Sequence, residues 1–141
     1  MKGFLPCALL FIFFFFPISH AFSESSSCQI VMYRLKAEGI KEIRNDFTPG
    51  DKIYADFTFL PEVEQTGVGF RWINPLNKKE QAYFEIVRST MPPEKQTVLC
   101  WLQIHPSLSE KIIGSRFFGL WLLEVWVDGR RVATKAFSVG N

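Results

Sequence analysis

The sequence predicts an all-β fold, an antiparallel sandwich of about seven strands that follows a cleavable signal peptide. Three observations carry this prediction. Short apolar segments recur along the chain, turn signals rich in Pro, Gly and Asn separate them, and an Asp-Gly pair joins the last two. The single helical signal is short, with Ser107 and Glu110 spaced as in a capping box.

The first residues are organised as a secretory signal peptide. Lys2 supplies the positive start, residues 4–18 form an uncharged apolar run, and Ser19-His20-Ala21 offers small residues to a signal peptidase. A retained anchor is the alternative, but the run is shorter than the ~20 residues of a helical span. We therefore predict a secreted or periplasmic protein without a membrane span after cleavage.

The predicted organisation has three parts. Residues 1–21 are the signal peptide, residues 22–27 are a polar lead expected to be mobile, and residues 28–141 are one β-sandwich domain. A chain of this size can bury a core of its own without a disulfide or a metal to hold it together.

Seven segments of the domain are predicted as strands, at 28–37, 51–61, 68–75, 81–89, 95–105 and in both arms of the last hairpin. The 95–105 segment is apolar on both faces, which predicts a central, buried strand. In two other segments the alternation is clear, so one face of each is expected in the core. The residues on those faces are Ile53, Ala55, Phe57, Phe59, Val68, Phe70 and Trp72.

The last hairpin is predicted from Asp128-Gly129, a strong signal for a two-residue turn. Counting outward from that turn pairs Val127 with Arg130, Trp126 with Arg131, and Trp121 with Ala136. The count assigns Trp121 to the core face. The residues assigned to the opposite face are Leu120, Leu122, Glu124, Trp126, Arg131, Ala133, Lys135 and Phe137.

On this register Trp126 lies at the surface beside Arg131, a cation–π pair worth ~0.5–1 kcal/mol. Trp and Arg are favoured anchors of protein interfaces, so Leu122, Trp126, Arg130 and Arg131 are the candidate contact residues. The apolar end of the same face, with Phe118, is expected to extend the contact. The competing interpretation is that Trp126 only covers the hairpin tip, because single exposed apolar residues are common.

The hairpin resembles the last two strands of bacterial immunoglobulin-like extracytoplasmic domains. The matching residues are Gly119, Trp121, Leu123, Val125, the Asp128-Gly129 turn, Phe137 and Val139. Upstream, PGDKIYADFTF (49–59) and GFRWINP (69–75) are similar to an early and a middle strand of such domains. The resemblance implies an immunoglobulin-like sandwich, a fold found in adhesins, enzyme accessory modules and envelope proteins. It does not fix a function.

Two cysteines remain after signal cleavage, Cys28 and Cys100, because Cys7 lies within the signal. An exported protein meets conditions that permit disulfides, so a Cys28–Cys100 bond ranks first. Two free thiols rank second. A lipid anchor on Cys28 ranks third, since Ser25 stands where a lipid-attachment site carries an aliphatic residue.

The sequence offers no enzyme signature, and neither a cofactor nor a metal is expected. His105 has no second His or CxxC beside it, and no serine stands in a nucleophile setting. The formal net charge of +2 comes from scattered residues, which argues against nucleic acid as a partner.

The leading functional expectation is a module that binds another envelope or extracellular protein. One alternative is a structural component whose exposed edge strand pairs with a copy of itself. The lowest-ranked alternative is a small enzyme with an unfamiliar site near His105.

Overall fold

The computed structural model of the chain describes residues 27–104 and 117–140. The predicted signal peptide, His105 and the capping box at Ser107 lie outside these residues. Within the described ranges the chain is all-β apart from short 3₁₀ segments, at Ala37–Gly39 and at Phe117. None of its helical segments has the length and apolar character of a membrane span. The strands are β1 (Gln29–Leu35), β2 (Lys41–Ile43), β3 (Asp46–Phe47), β4 (Lys52–Phe59), β5 (Gln65–Ile73), β6 (Lys79–Arg88), β7 (Gln96–Gln103), β8 (Gly119–Val127) and β9 (Arg130–Val139).

These strands form two sheets. One has the order β2-β1-β4-β7 and the other the order β3-β9-β8-β5-β6. In the described part of the chain the pairings are antiparallel, apart from a short parallel pair in which Phe47 of β3 lies opposite Val139 of β9. The prediction of an all-β fold with two mostly antiparallel sheets is therefore confirmed.

The core lies between the sheets and is built by the alternation that the sequence predicts. All seven residues expected there are buried. Phe57 of β4 meets Phe70 of β5 edge to face, with ring centroids 6.2 Å apart, so aromatic rings link the two sheets across the core. Burial of this apolar face is the main stabilising contribution to the fold.

All seven predicted strands are present, with ends shifted by a few residues, while β2 and β3 were not predicted. They contain three and two residues, too few for an alternating pattern to be recognised. Their positions depend on pairing partners elsewhere in the chain: Ile43 lies opposite Tyr33 of β1, and Asp46 opposite Ser138 of β9.

The prediction that the 95–105 segment is a central strand is wrong. β7 is the outermost strand of its sheet and pairs with β4 alone among the described strands. Its inner residues are buried, but Leu99 and Trp101 on its outer face are 47% and 45% exposed. Apolar side chains on both faces were therefore a poor guide to position within the sheet.

The last hairpin contains a β-bulge that the sequence count did not anticipate. The turn is as predicted, with positive φ at Asp128 (46°) and Gly129 (78°). Trp126 lies opposite Arg131, but Val125 lies opposite Ala133, which leaves Val132 as an extra residue in β9.

One extra residue moves every later side chain of β9 to the other face. Phe137, not Ala136, therefore lies opposite Trp121 and is buried at 2% exposure. The assignment of Phe137 to the outer contact face is corrected: it is a core residue.

Candidate functional site

The outer face of the five-stranded sheet carries a groove over two glycines of β5. Gly69 lies opposite Phe84 of β6 on one side and opposite Trp126 of β8 on the other. The two aromatic side chains therefore flank a position that has no side chain of its own. We call this the glycine groove and define it by Gly67, Gly69, Arg71, Phe84 and Trp126; its volume is about 360 Å³.

The two glycines leave room for the aromatic walls. A Cβ added to Gly67 would lie 3.1 Å from the Cε2 and Cζ atoms of Phe84, so that ring leans over the Gly67 backbone. A Cβ on Gly69 would lie 3.7 Å from the Cβ of Trp126 and 3.8 Å from the Cδ2 of Phe84, which is ordinary contact. Any larger side chain at Gly69 would fill the floor of the groove.

Polar contacts hold the Trp126 wall in place. The guanidinium of Arg71 stacks over the indole, 4.3 Å from the ring centroid. The indole Nε1 donates a hydrogen bond to Glu124 Oε2 at 3.4 Å, and Arg131 Nη1 donates to Glu124 Oε1 at 3.0 Å. Because Arg71 and Trp126 lie on neighbouring strands, the pair also fixes the orientation of the ring relative to the groove.

The opposite wall is the apolar side of β6. Phe84 is 65% exposed, and Ile86, which lies two residues further along the same face, is also exposed. An exposed phenylalanine beside a half-buried tryptophan, with an open floor between them, forms a concave apolar surface. Surfaces of this type can receive a side chain of a partner.

The rim of the groove is basic. Arg71 and Lys79 line the groove, and Arg88 lies further along β6, beyond Ile86. Of the two nearby carboxylates, Glu124 is paired with Arg131, and Asp128 accepts a hydrogen bond from the Gly67 amide at 2.8 Å. The positive potential of such a rim favours acidic or electron-rich partners.

The sequence-predicted contact residues are divided between two places. Trp126 and Arg131 lie on the outer face beside the groove, and Leu122 lies on the same face, half-buried, opposite Ile73 and Ala136. Arg130 lies at the hairpin tip and lines a different cavity. Phe118 is half-buried and packs against the core.

Sequence reasoning missed four residues of the groove: Arg71, Phe84 and the two glycines, Gly67 and Gly69. The available signal was the Gly-x-Gly-x-Arg pattern of 67–71, which puts two glycines and a cation on one face of a strand. The strand that would supply the facing aromatic ring could not be known before the sheet order.

A second cavity, of about 560 Å³, opens at the end of the sandwich where the hairpin tip meets the β4–β5 loop. Cys28, Thr66 and Arg130 contribute to its lining together with the apolar side chains of Phe59 and Val132. The Thr66 hydroxyl is buried without a hydrogen-bond partner.

Cys28 and Cys100 are free thiols in the structure, so the first-ranked disulfide is not formed. The register gives the reason. Cys28 precedes Gln29, which lies opposite Thr58, whereas Cys100 lies opposite Ala55. The cysteines are thus about 13 Å apart along β4, and a disulfide needs Cα atoms within about 7 Å. Burial, with a smaller contribution from nearby Asp56, raises the pKa of the Cys100 thiol well above its usual range.

The outer face of the four-stranded sheet is also aromatic, but lysines cover it. Tyr33 stacks on Tyr54 with centroids 5.4 Å apart, and Tyr54 lies opposite Trp101. Lys52 lies 4.1 Å from the Trp101 ring centroid, and Lys41 lies 4.4 Å from that of Tyr33. Because these cations occupy the ring faces, this row is less open than the glycine groove.

Within residues 27–104 and 117–140, no group of His, Cys, Asp and Glu side chains is arranged to hold a metal ion. His105, the centre of the lowest-ranked enzyme alternative, lies outside these ranges.

No protein-family model matches the chain, and no curated protein does. Among solved structures, the alkylpurine DNA glycosylase AlkC from Pseudomonas fluorescens, bound to DNA containing an abasic site analog, matches 79% of this chain with a TM-score of 0.47 and 11% identity. This chain covers 30% of that protein. A likeness this weak carries no argument about fold or function.

Proposed function

We propose that the chain is an exported immunoglobulin-like module that binds another envelope or extracellular protein through its glycine groove. The observation that carries the proposal is the groove itself: two glycines between Phe84 and Trp126, with Arg71 stacked on the indole. An exposed phenylalanine beside a glycine floor has no role in the core.

The immunoglobulin-like part of the proposal is supported by the order of the strands. The final hairpin, β8 and β9, lies beside β5 and β6 in one sheet, while β1, β4 and β7 share the other. In immunoglobulin-like domains the last two strands, F and G, share a sheet with strand C, whereas strands A, B and E belong to the other sheet. The export part rests on the signal-peptide pattern of residues 1–21.

The basic rim favours a partner that is acidic where it meets the groove. Such a partner would place an apolar or aromatic side chain on the glycine floor and carboxylates near Arg71 and Lys79. Raising the ionic strength should slow association, because exposed charges act mainly on the rate of encounter.

Site-specific photo-crosslinking tests the proposal. A benzophenone amino acid in place of Phe84, in cells that produce the chain naturally, should capture one specific protein. The same group in place of Ile43, exposed on the other sheet, is the matched control and should not capture that protein. Equal capture from both positions, or none from Phe84, would contradict the proposal.

The captured protein then allows a measurement of affinity. Trp126→Ala removes a wall of the groove, and Gly69→Leu fills its floor. Each should weaken binding roughly 30-fold, because a buried aromatic anchor contributes about 2 kcal/mol. Ile43→Ala, at an exposed residue of the other sheet that lies away from β7, should leave binding unchanged. A groove substitution with no effect on affinity would mean that the partner binds elsewhere.

A further inference from the structure

β7 differs from the other outer strands of the described sheets. Its sequence, QTVLCWLQ, contains no charged residue, no proline and no glycine. By contrast β2, β3 and β6, which end the sheets elsewhere, carry charged residues such as Lys41, Asp46 and Glu85. Charges on an edge strand discourage pairing with another chain, and β7 lacks that protection.

Among the described strands, β7 has a neighbour on one side, β4, and a defined set of its backbone groups points to the other side, called here the open side. The Ile104 amide donates to the Asp51 carbonyl at 3.5 Å, and the Ile104 carbonyl accepts from the Gly50 amide at 2.9 Å. Both backbone groups of Ile104 therefore point toward β4. Since successive residues of a strand point to alternate sides, the groups on the open side belong to Thr97, Leu99, Trp101 and Gln103.

We propose that a second copy of this chain pairs with β7 across this edge, in antiparallel orientation. The register follows from the four residues just named. If Cys100 lies opposite Cys100 of the second copy, then Leu99 lies opposite Trp101 of that copy and Thr97 opposite its Gln103. All four open residues then exchange backbone hydrogen bonds with the second copy.

The strand is complementary to itself in charge and in apolar character. No like charges face each other, because β7 carries none. On the outer face, Leu99 and Trp101 are each about half exposed. In the proposed register, Leu99 packs against Trp101 of the second copy, and Trp101 packs against Leu99 of that copy. A two-fold axis at Cys100 closes the pairing at two copies, so a dimer and not a fibre results.

This dimer leaves the glycine groove free. The groove lies on the outer face of the other sheet, on β5, β6 and β8. Pairing through β7 would present two grooves in one particle and raise the apparent affinity for a partner that carries several sites. The inference does not depend on the proposed function, and each can fail without the other.

Sedimentation velocity of the processed chain, from micromolar to millimolar concentration, is the first test. We expect a concentration-dependent dimer. Leu99→Lys puts a charge on the outer face of the edge and should give a monomer, with Thr97→Lys as a second variant. Leu120→Lys, at an exposed apolar residue of the other sheet, is the control and should remain dimeric. A wild-type monomer throughout the range would overturn the proposal.

Hydrogen exchange locates the interface. The amides of Thr97, Leu99, Trp101 and Gln103 should exchange slowly at high concentration and much faster at low concentration, while the β4-facing amides of Val98 and Cys100 stay protected in both conditions. Circular dichroism of the lysine variants verifies that they fold. A dimer that survives both lysine variants, or that shows no concentration-dependent protection of these four amides, would exclude pairing through β7.

Discussion

The ring of Phe137 stacks on the indole of Trp121 with centroids 5.9 Å apart, on the inner face of the last hairpin. The same phenylalanine meets Trp72 of β5 edge to face at 5.7 Å. Phe137 reaches this position only because Val132 is bulged out of the β8–β9 pairing. A regular hairpin with the same turn would point the ring to solvent.

Truncation of the Phe137 ring tests whether the bulge places it in the core. Phe137→Ala should lower the free energy of unfolding by about 3–5 kcal/mol, as expected for a fully buried phenylalanine. Leu120→Ala, at a residue that is 63% exposed on the neighbouring strand, should change it by less than about 0.5 kcal/mol. Urea unfolding gives both values. Similar small losses in the two variants would indicate a regular hairpin with Phe137 outside.

The glycines of the groove should lower the free energy of unfolding, while they leave the open space that forms the groove. Gly69→Ala should raise the free energy of unfolding by roughly 0.5–1 kcal/mol, because glycine in a strand has excess freedom in the unfolded chain and the new Cβ meets only ordinary contacts. Gly67→Ala should raise the free energy of unfolding by less, because the ring of Phe84 must move away from a Cβ that would lie 3.1 Å from it. Thermal or urea unfolding compares the two.

A loss of stability in Gly69→Ala would contradict this account of the floor. It would mean that the glycine is required by the strand itself and not by the space above it.

The two cysteines should react very differently in the native protein. Cys28 is half-buried just before β1, whereas burial both shields the Cys100 thiol and raises its pKa. A thiol reagent at neutral pH should therefore label Cys28 in the folded protein and reach Cys100 only after denaturation. Mass spectrometry of the labelled chain identifies the site. If no thiol reacts without reductant and the mass is two hydrogens lower, the Cys28–Cys100 disulfide is present in the protein instead.

An ion-pair cluster beside β1 should make stability depend on acid pH. Glu42 accepts from Arg34 Nε at 2.6 Å and from Lys36 Nζ at 3.1 Å, which lowers the pKa of its carboxyl below the ordinary 4.5. A lowered folded-state pKa stabilises the fold above 4.5, and the contribution is lost as the pH falls through the folded value.

The urea midpoint of Glu42→Gln should therefore lie below that of wild type at neutral pH and approach it in acid. A difference that stays constant with pH would show that Glu42 acts through packing and not through its charge.

By itself, the sequence was sufficient to predict the all-β class, the seven long strands and the core faces of β4 and β5. These features are local: alternation with a period of two, turn residues and the Asp128-Gly129 pair act through neighbours in the chain. The buried Trp72 and Trp121 were predicted for the same reason.

Only the tertiary structure decided the bulge at Val132, the edge position of β7 and the identity of the groove. A bulge depends on how β9 packs against β8 and the core, and the sequence of the two-residue turn does not predict that packing. The sequence predicted Arg131 beside the Trp126 ring, but Arg71 stacks on it because β5 lies beside β8, and Arg131 pairs with Glu124. Phe84 faces Gly69 because β6 lies beside β5. Sheet order is a long-range property, so contacts between strands distant in sequence cannot be read from alternation within each strand.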